Sequence, residues 1–204
     1  MHDKPDSAAP PILVRVNQSP PPRSHRFRDR RHTRYDFLDP ILVTCPACGA
    51  QARVVRIPHE PGHPLYPALA PRRLVRRACA LSRTWKGGGP VFHRSPGGTA
   101  RDPYFGVPLR LQTRTRHGLL WAHNPEHLDL IERYVRASLR ERAHWYDIGT
   151  EKTLVASLPV WTKRGRNRDE VLRAVGRVRA ASPDSRRAAT AGKRLAGRRV
   201  RGLG

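Results

Sequence analysis

Residues 44–57 read T-C-P-A-C-G-A-Q-A-R-V-V-R-I, and this stretch decides how the first half of the chain folds. Two residues separate Cys45 from Cys48, a spacing that suits either a redox pair or half of a zinc site. A redox pair lies where a strand enters a helix, because the helix amino terminus stabilises the thiolate. The residues after Cys48 are instead β-branched and typical of a strand. We therefore expect a zinc knuckle, with Pro46 stiffening the turn and Gly49 taking a positive φ angle.

A structural zinc site needs four ligands, and the chain contains only one more cysteine. Residues 79–82 read C-A-L-S, so Cys79 is the expected third ligand and Ser82 stands where a fourth cysteine is expected. A neutral serine hydroxyl binds Zn²⁺ poorly. His93 is our first choice for the fourth ligand, followed by His59 and His63. Two further alternatives stay open: water fills the fourth position, or zinc binding is weak or lost and the fold persists through packing.

The composition indicates a small, very basic protein. The 204 residues include 40 Lys and Arg against 16 Asp and Glu, a net charge of +24 that favours nucleic acid as a partner, with a protein partner as the alternative. No apolar run approaches the roughly 18 residues of a membrane span, and the amino terminus lacks the apolar core of a signal peptide. The odd number of cysteines favours a reducing compartment. We expect a cytoplasmic protein with no membrane partner, and no small-molecule substrate is indicated.

Composition also divides the chain into a folded core and two tails. Residues 1–36 are rich in proline and arginine and residues 182–204 are rich in arginine, so both segments are expected to be disordered. Between them, residues 37–181 form one expected domain with 25 basic and 11 acidic side chains, a net charge of +14. We divide this domain into a ribbon part, 37–95, and a part with a hairpin and helices, 100–181.

The pattern of apolar residues predicts an α+β fold, with strands first and helices later. Strands are expected at 41–44, 52–57, 72–79, 90–93, 109–116 and 119–123. Asn124 can cap a helix that begins at Pro125 and extends through Arg142. Residues 151–158 suggest a short helical turn. A last helix follows Asn167, with Glu170 completing a capping box.

Several motifs together resemble a known family. They are D-P-Y-F-G-V-P-L-R-L-Q at 102–112, L-W-A-H-N-P-E-H-L at 120–128, L-R-E-R at 139–142, L-P-V-W at 158–161 and N-R-D-E-V-L at 167–172. The chain is similar in these to short uncharacterised bacterial proteins described as containing a zinc ribbon of the transcription-factor-IIB type. The resemblance covers about two-thirds of the chain and implies zinc ligation by Cys45, Cys48 and Cys79. Ser82 departs from the family pattern, and the family has no assigned activity to carry over.

These observations favour a non-catalytic zinc-ribbon-like protein that binds nucleic acid, or a partner associated with nucleic acid, through an arginine-rich surface. The expected contacts are Arg72, Arg73, Arg76, Arg77, Arg110, Arg114 and Arg116. One alternative is a protein–protein interaction module that has lost zinc. Another is a metal-dependent nuclease of the ββα type around His123 and His127, in which a strand histidine acts as general base. No phosphate-cradling glycine-rich loop precedes a helix.

Overall fold

A computed structural model of the protein describes residues 25–58, 66–92, 98–141 and 152–182. The architecture is α+β, as the sequence predicted. In these residues the strands are β1 (Arg26–Arg28), β2 (Ile41–Thr44), β3 (Gln51–Arg56), β4 (Arg72–Arg76), β5 (Leu81–Trp85), β6 (Leu111–Thr115), β7 (Gly118–Ala122) and β8 (Leu139–Glu141). The α-helices are α1 (Pro125–Arg136), α2 (Leu154–Ser157), α3 (Val160–Lys163) and α4 (Arg168–Ala181).

Strands β2 to β5 form an antiparallel sheet in sequence order, which we call the ribbon sheet. Its inner face buries Val43, Val54 and Leu74, because alternate residues of each strand point to the same side. The intervening residues Arg53 and Arg73 lie on the outer face and are exposed. This alternation explains why the strands can carry arginines: the inner face contributes to the core, and the outer face is exposed at Arg53 and Arg73.

The core has two parts, and β2 belongs to both. Ile41 and Val43 pack into the cluster behind the ribbon sheet, whereas Leu42 packs among the side chains of α1 and α4. The amide of Leu42 donates to the carbonyl of His123 at 2.7 Å, and its carbonyl accepts from the amide of Arg110 at 2.9 Å. Strand β2 therefore fixes the ribbon sheet to the β6–β7 hairpin.

The D-P-Y-F-G motif forms a tight loop around one carboxylate. Asp102 is fully buried and accepts hydrogen bonds from the amides of Tyr104, Phe105 and Val107 at 2.8–3.0 Å. Gly106 has a φ of +64°, a conformation that residues with a Cβ rarely adopt. The loop leads into the isolated bridge between Leu109 and Val43, where the predicted strand 109–116 begins.

Helix α1 begins as predicted but ends earlier. The side-chain oxygen of Asn124 accepts from the amide of His127 at 2.9 Å, and Pro125 is the first helical residue. The helix stops at Arg136, six residues before the predicted end. Leu139–Glu141 instead form β8, which pairs in parallel with β1. The sequence predicts too long a helix because Leu139 continues the apolar spacing of α1. In the structure the side chain of Leu139 is exposed in β8.

The fold begins before residue 37, where the sequence placed the domain boundary. Phe27 of β1 is buried and packs edge-on against Tyr134 of α1, with ring centroids 5.3 Å apart. A 3₁₀ turn at Arg34–Phe37 follows, and Thr33 and Asp36 form a capping box at its start. Residues 25–36 therefore belong to the folded unit, because one aromatic side chain and a short parallel pairing anchor a segment whose composition suggests disorder.

Helix α4 has the predicted apolar face but not the predicted capping box. Val171, Val175 and Val178 are buried. Asn167 makes no capping bond and donates from Nδ2 to the carbonyl of Trp161 at 2.9 Å. The carboxylate of Glu170 lies 2.6 Å from Nε of Arg116, across the gap to the β6–β7 hairpin. Glu170 therefore forms an ion pair with Arg116 and does not complete a capping box at the start of α4.

Several predictions concern residues outside the described ranges. They include the arm at 1–24, the tail at 183–204, His59, His63 and His93. Residues 90–92 are described and form no strand, contrary to the strand predicted at 90–93. Proline and the preceding glycines account for this, since neither supports a ladder of hydrogen bonds.

Candidate metal centre

Two turns at one edge of the ribbon sheet bring the three cysteines together. The β2–β3 turn carries Cys45 and Cys48, and the β4–β5 turn carries Cys79. Strands β3 and β4 pair antiparallel, with Arg53 opposite Val75, so the start of β3 lies beside the end of β4. The two turns therefore meet, although 30 residues separate Cys48 from Cys79 in the sequence.

The spacing of the sulfur atoms suits a metal ion. Sγ of Cys45 lies 3.6 Å from Sγ of Cys79, and the three Sγ atoms all lie within 4.8 Å of one another. Thiolates bound tetrahedrally to Zn²⁺ at about 2.3 Å stand about 3.8 Å apart. All three cysteines are free thiols. The three residues, which we call the cysteine cluster, can thus act as three ligands of one metal ion.

The turn geometry around Cys48 favours its thiolate. Gly49 has a φ of +70°, as the sequence predicted, and folds the chain back toward Cys45. A hydrogen bond from the amide of Ala50 is the main cause that lowers the pKa of Cys48 to about 7, with further bonds from the neighbouring cysteines and from Arg76. Partial burial raises the pKa of Cys79. The exposed Cys48 thiol therefore ionises more readily than the Cys79 thiol, and a thiolate is the form of sulfur that binds a metal.

Ser82 lies away from the cysteine cluster. It is an exposed residue within β5, where it pairs with Val75. Val75 lies on the outer face, opposite to buried Leu74, so Ser82 shares the outer face and points away from the inner face to which Cys45 belongs. Among the described residues, Cys45, Cys48 and Cys79 are the one group of three His, Cys, Asp or Glu ligands close enough to share a metal. His93 lies outside those residues.

Arg76 contributes to the cluster in a way that the sequence reading missed. We expected Arg76 to contact nucleic acid. Its Nε instead donates to Sγ of Cys48 at 3.0 Å, and its Nη1 donates to the carbonyl of Gln51 at 2.8 Å. The thiolate contact is also the main cause that raises the pKa of Arg76.

The other predicted nucleic-acid contacts divide into surface and core positions. Arg73 and Arg77 are exposed on the ribbon, and Arg114 and Arg116 are exposed on the β6–β7 hairpin. Arg110 is half-buried and donates to the carbonyl of Ala181 at 3.4 Å.

Arg72 does not lie on the surface. Its side chain is only 1% exposed, and its guanidinium donates to the carbonyls of Leu38 and Pro67 at 3.0 and 2.7 Å. The same group lies 4.7 Å from the ring centroid of Tyr104 and 3.6 Å from a carboxylate oxygen of Asp39. This buried charge is therefore compensated on several sides, and Arg72 is a core residue that cannot reach a phosphate.

The histidines of the nuclease alternative are also buried. His123 and His127 are 1% and 2% exposed, and Nδ1 of His127 accepts from the amide of His123 at 3.2 Å. Burial lowers the pKa of His127 to about 3 and lowers the pKa of His123 well below its usual value. In the described ranges no third ligand joins them in a metal-binding group. The geometry is that of packed, neutral imidazoles that position the start of α1.

No protein-family model, curated protein or solved structure matches this chain. The candidate site therefore depends on the geometry of its own residues. None of the helices in residues 25–58, 66–92, 98–141 and 152–182 is long and apolar enough to cross a membrane.

Proposed function

We propose that the chain is a non-catalytic, zinc-ribbon-like protein that binds nucleic acid through the outer face of the ribbon sheet. The observation that carries this proposal is the composition of the sheet beside the cysteine cluster. Strands β2 to β5 contain no aspartate or glutamate, and two of their six arginines, Arg53 and Arg73, lie exposed on the outer face. A surface of one charge sign next to a rigid turn pair suits a polyanion.

Zinc has a structural role in this proposal. Cys45, Cys48 and Cys79 would hold it, and it would tie the β2–β3 turn to the β4–β5 turn. Thiolates are the ligands that structural zinc sites use most, and three of them lie at compatible distances. The metal would keep the arginine-bearing strands in one arrangement. We also propose, on the sequence resemblance, that this ribbon is of the transcription-factor-IIB type.

The exposed arginines of the outer face support contact with a phosphate backbone. Arg53 lies opposite Val75, and Arg73 lies opposite Val55, so the two arginines are diagonal neighbours on adjacent strands. Both are exposed, as is Arg77 in the adjoining turn. Guanidinium groups form bidentate hydrogen bonds with phosphate and carry their charge at any physiological pH. No base-reading element is part of the proposal, so we expect binding without strong sequence preference.

Binding to a fluorescent DNA duplex and to a single-stranded RNA, measured by anisotropy over a range of salt concentrations, tests this function. We expect the logarithm of the association constant to fall linearly with the logarithm of salt concentration. The double variant Arg53→Gln, Arg73→Gln should reduce the slope by about 2, or about 1 for each lost phosphate contact. The control is Arg173→Gln, Arg177→Gln, which removes two exposed charges from α4.

Two results would contradict the proposal. One is an absence of salt-dependent binding by the wild-type protein near physiological salt. The other is an equal loss in the two double variants, which would assign binding to net charge and not to the ribbon face. A protein partner would then be the better hypothesis.

A further inference from the structure

The two turns that carry the cysteines match in backbone conformation at the residue that follows Cys48 and Cys79. In the first turn Cys48 is followed by Gly49 with a φ of +70°, and in the second Cys79 is followed by Ala80 with a φ of +53°. A positive φ is rare for alanine, so its presence at the same place indicates the same backbone form. This correspondence places Cys79 at the position of Cys48, the second cysteine of a knuckle.

Hydrogen bonds support the same correspondence. The amide of Cys45 donates to the carbonyl of Ala50 at 2.7 Å. At the matching place in the second turn, Arg76 is the ladder partner of Leu81.

Position 76 is therefore the equivalent of Cys45, the first cysteine of a knuckle. Two residues separate it from Cys79, as two separate Cys45 from Cys48. On the same alignment Ser82 is the equivalent of Gln51, which is a strand residue and not a ligand. The sequence prediction took Ser82, which follows Cys79, as the matching knuckle position. The backbone instead indicates Arg76, which precedes Cys79.

We propose that Arg76 occupies the fourth ligand position of a two-turn metal site, so that three thiolates bind the metal and the guanidinium replaces the fourth. This rests on the zinc site of the proposed function. The side chain of Arg76 already turns to the cluster, with Nε 3.0 Å from Sγ of Cys48. Three thiolates around Zn²⁺ leave one net negative charge, which one guanidinium neutralises. Arg76 thus stabilises the charged centre without being a ligand.

Zinc affinity of three full-length cysteine variants tests this assignment. Arg76→Cys should create a four-thiolate site and bind zinc at least about 100-fold more tightly than wild type, since even outer partners of metal ligands are worth about 10–100-fold. Ser82→Cys and Arg77→Cys add a thiol nearby but outside the ligand position, and both should match wild type. Competition with a chromophoric chelator gives the affinities.

A second measurement counts the thiolates directly. With Co²⁺ in place of zinc, the thiolate-to-metal charge-transfer band should be more intense in Arg76→Cys than in wild type, and unchanged in Ser82→Cys. Arg76→Ala, which removes the charge and adds no thiol, should weaken metal binding by about tenfold. Arg76→Lys keeps the positive charge and should recover part of this loss. Such a recovery would show that Arg76 acts by compensating charge and not only through a structural contact.

The outcomes distinguish this inference from the proposed function. If wild type binds no zinc but Arg76→Cys binds one equivalent, position 76 is the fourth ligand position, whereas metal binding by three thiolates in the wild type, and with it the zinc part of the proposed function, is wrong. Tighter binding by Ser82→Cys with no gain in Arg76→Cys would overturn the inference. So would an Arg76→Cys protein that takes up no zinc, or an Arg76→Ala protein with the affinity of wild type.

Discussion

Single buried polar side chains position much of this fold. The carboxylate of Asp102 accepts three backbone hydrogen bonds inside a loop that has no regular secondary structure. Asn124 acts similarly by donating to the carbonyls of Phe37 and Pro40. Arg72 donates to the carbonyls of Leu38 and Pro67. Buried polar groups of this kind stabilise one conformation, because any other would leave them unpaired.

Replacing Asp102 by alanine should strongly destabilise the protein. The change leaves three buried amides without an acceptor, and hydrogen bonds to a charged group contribute about 1.5–3 kcal/mol each. We expect the free energy of unfolding to fall by about 3 kcal/mol or more in urea denaturation. Asp169→Ala is the matched control, since Asp169 is exposed in the first turn of α4 and should cost under about 1 kcal/mol. Equal losses in the two variants would show that the Asp102 bonds contribute little.

The buried histidines should make stability depend on pH. The pKa of His127 is lowered to about 3 in the folded protein, against about 6.5 in the unfolded chain. The unfolded state therefore binds a proton first, so stability is full above about pH 6.5 and is lost as the pH falls toward 3. Each such histidine contributes up to about 1.4 kcal/mol per pH unit in this window.

Urea unfolding of His127→Gln at pH 7, 6 and 5 measures this contribution. The slope of unfolding free energy against pH should be shallower than in wild type. The variant His25→Gln, at an exposed position, should keep the wild-type slope. A wild-type stability that stays constant from pH 7 to 5 would contradict neutral burial of these imidazoles.

At the scale of elements, β1 is a strand within a segment that the sequence predicted to be disordered. Its three residues pair in parallel with β8, and Phe27 fills a place among the side chains of α1. Because β1 and β8 are parallel and far apart in the sequence, no hairpin turn in the sequence indicates that they pair. Arg26 and Arg28 flank Phe27, so the composition of this segment predicts disorder and does not indicate that Phe27 is buried.

Phe27→Ala should therefore behave as a core substitution. Truncating a buried phenylalanine costs about 3–5 kcal/mol, and we expect thermal or urea unfolding to report a loss near the lower end because β1 lies at the margin of the core. Arg28→Ala, whose side chain is exposed in the same strand, should change stability by less than about 0.5 kcal/mol. A loss of under 1 kcal/mol in Phe27→Ala would return this segment to the disordered arm that the sequence suggested.

At the scale of the whole molecule, the fold places the arginines that contribute to the charge of +24 in different environments. Arg72 is placed in the core, Arg76 at the cysteine cluster and Arg116 against Glu170, while Arg53, Arg73 and Arg77 stay exposed at the ribbon. Other arginines are exposed elsewhere, such as Arg173 and Arg177 of α4, but the strands of the ribbon sheet contain no acidic residue. The salt dependence of nucleic-acid binding proposed above should reflect the exposed ribbon arginines and not the total charge.

The sequence predicted the features that depend on near neighbours. Short β-branched runs predicted β2 and β3, and alternation followed by a turn predicted β6 and β7. An asparagine and a proline marked the start of α1, and Cys-Pro-Ala-Cys-Gly indicated the first turn with its positive φ at Gly49. Each of these signals spans a few residues, within which the backbone conformation is set by local sterics and hydrogen bonds.

Only the tertiary structure decided which residues meet across longer distances. The arginines at 72 and 76 look alike in sequence, yet the fold buries the first against Tyr104 and turns the second toward Cys48. Cys79 could pair in sequence with Ser82 or with position 76, and the backbone of the second turn selects position 76. The physical reason is that strand register and turn form depend on how the whole ribbon sheet packs, a property that no short stretch of this sequence contains.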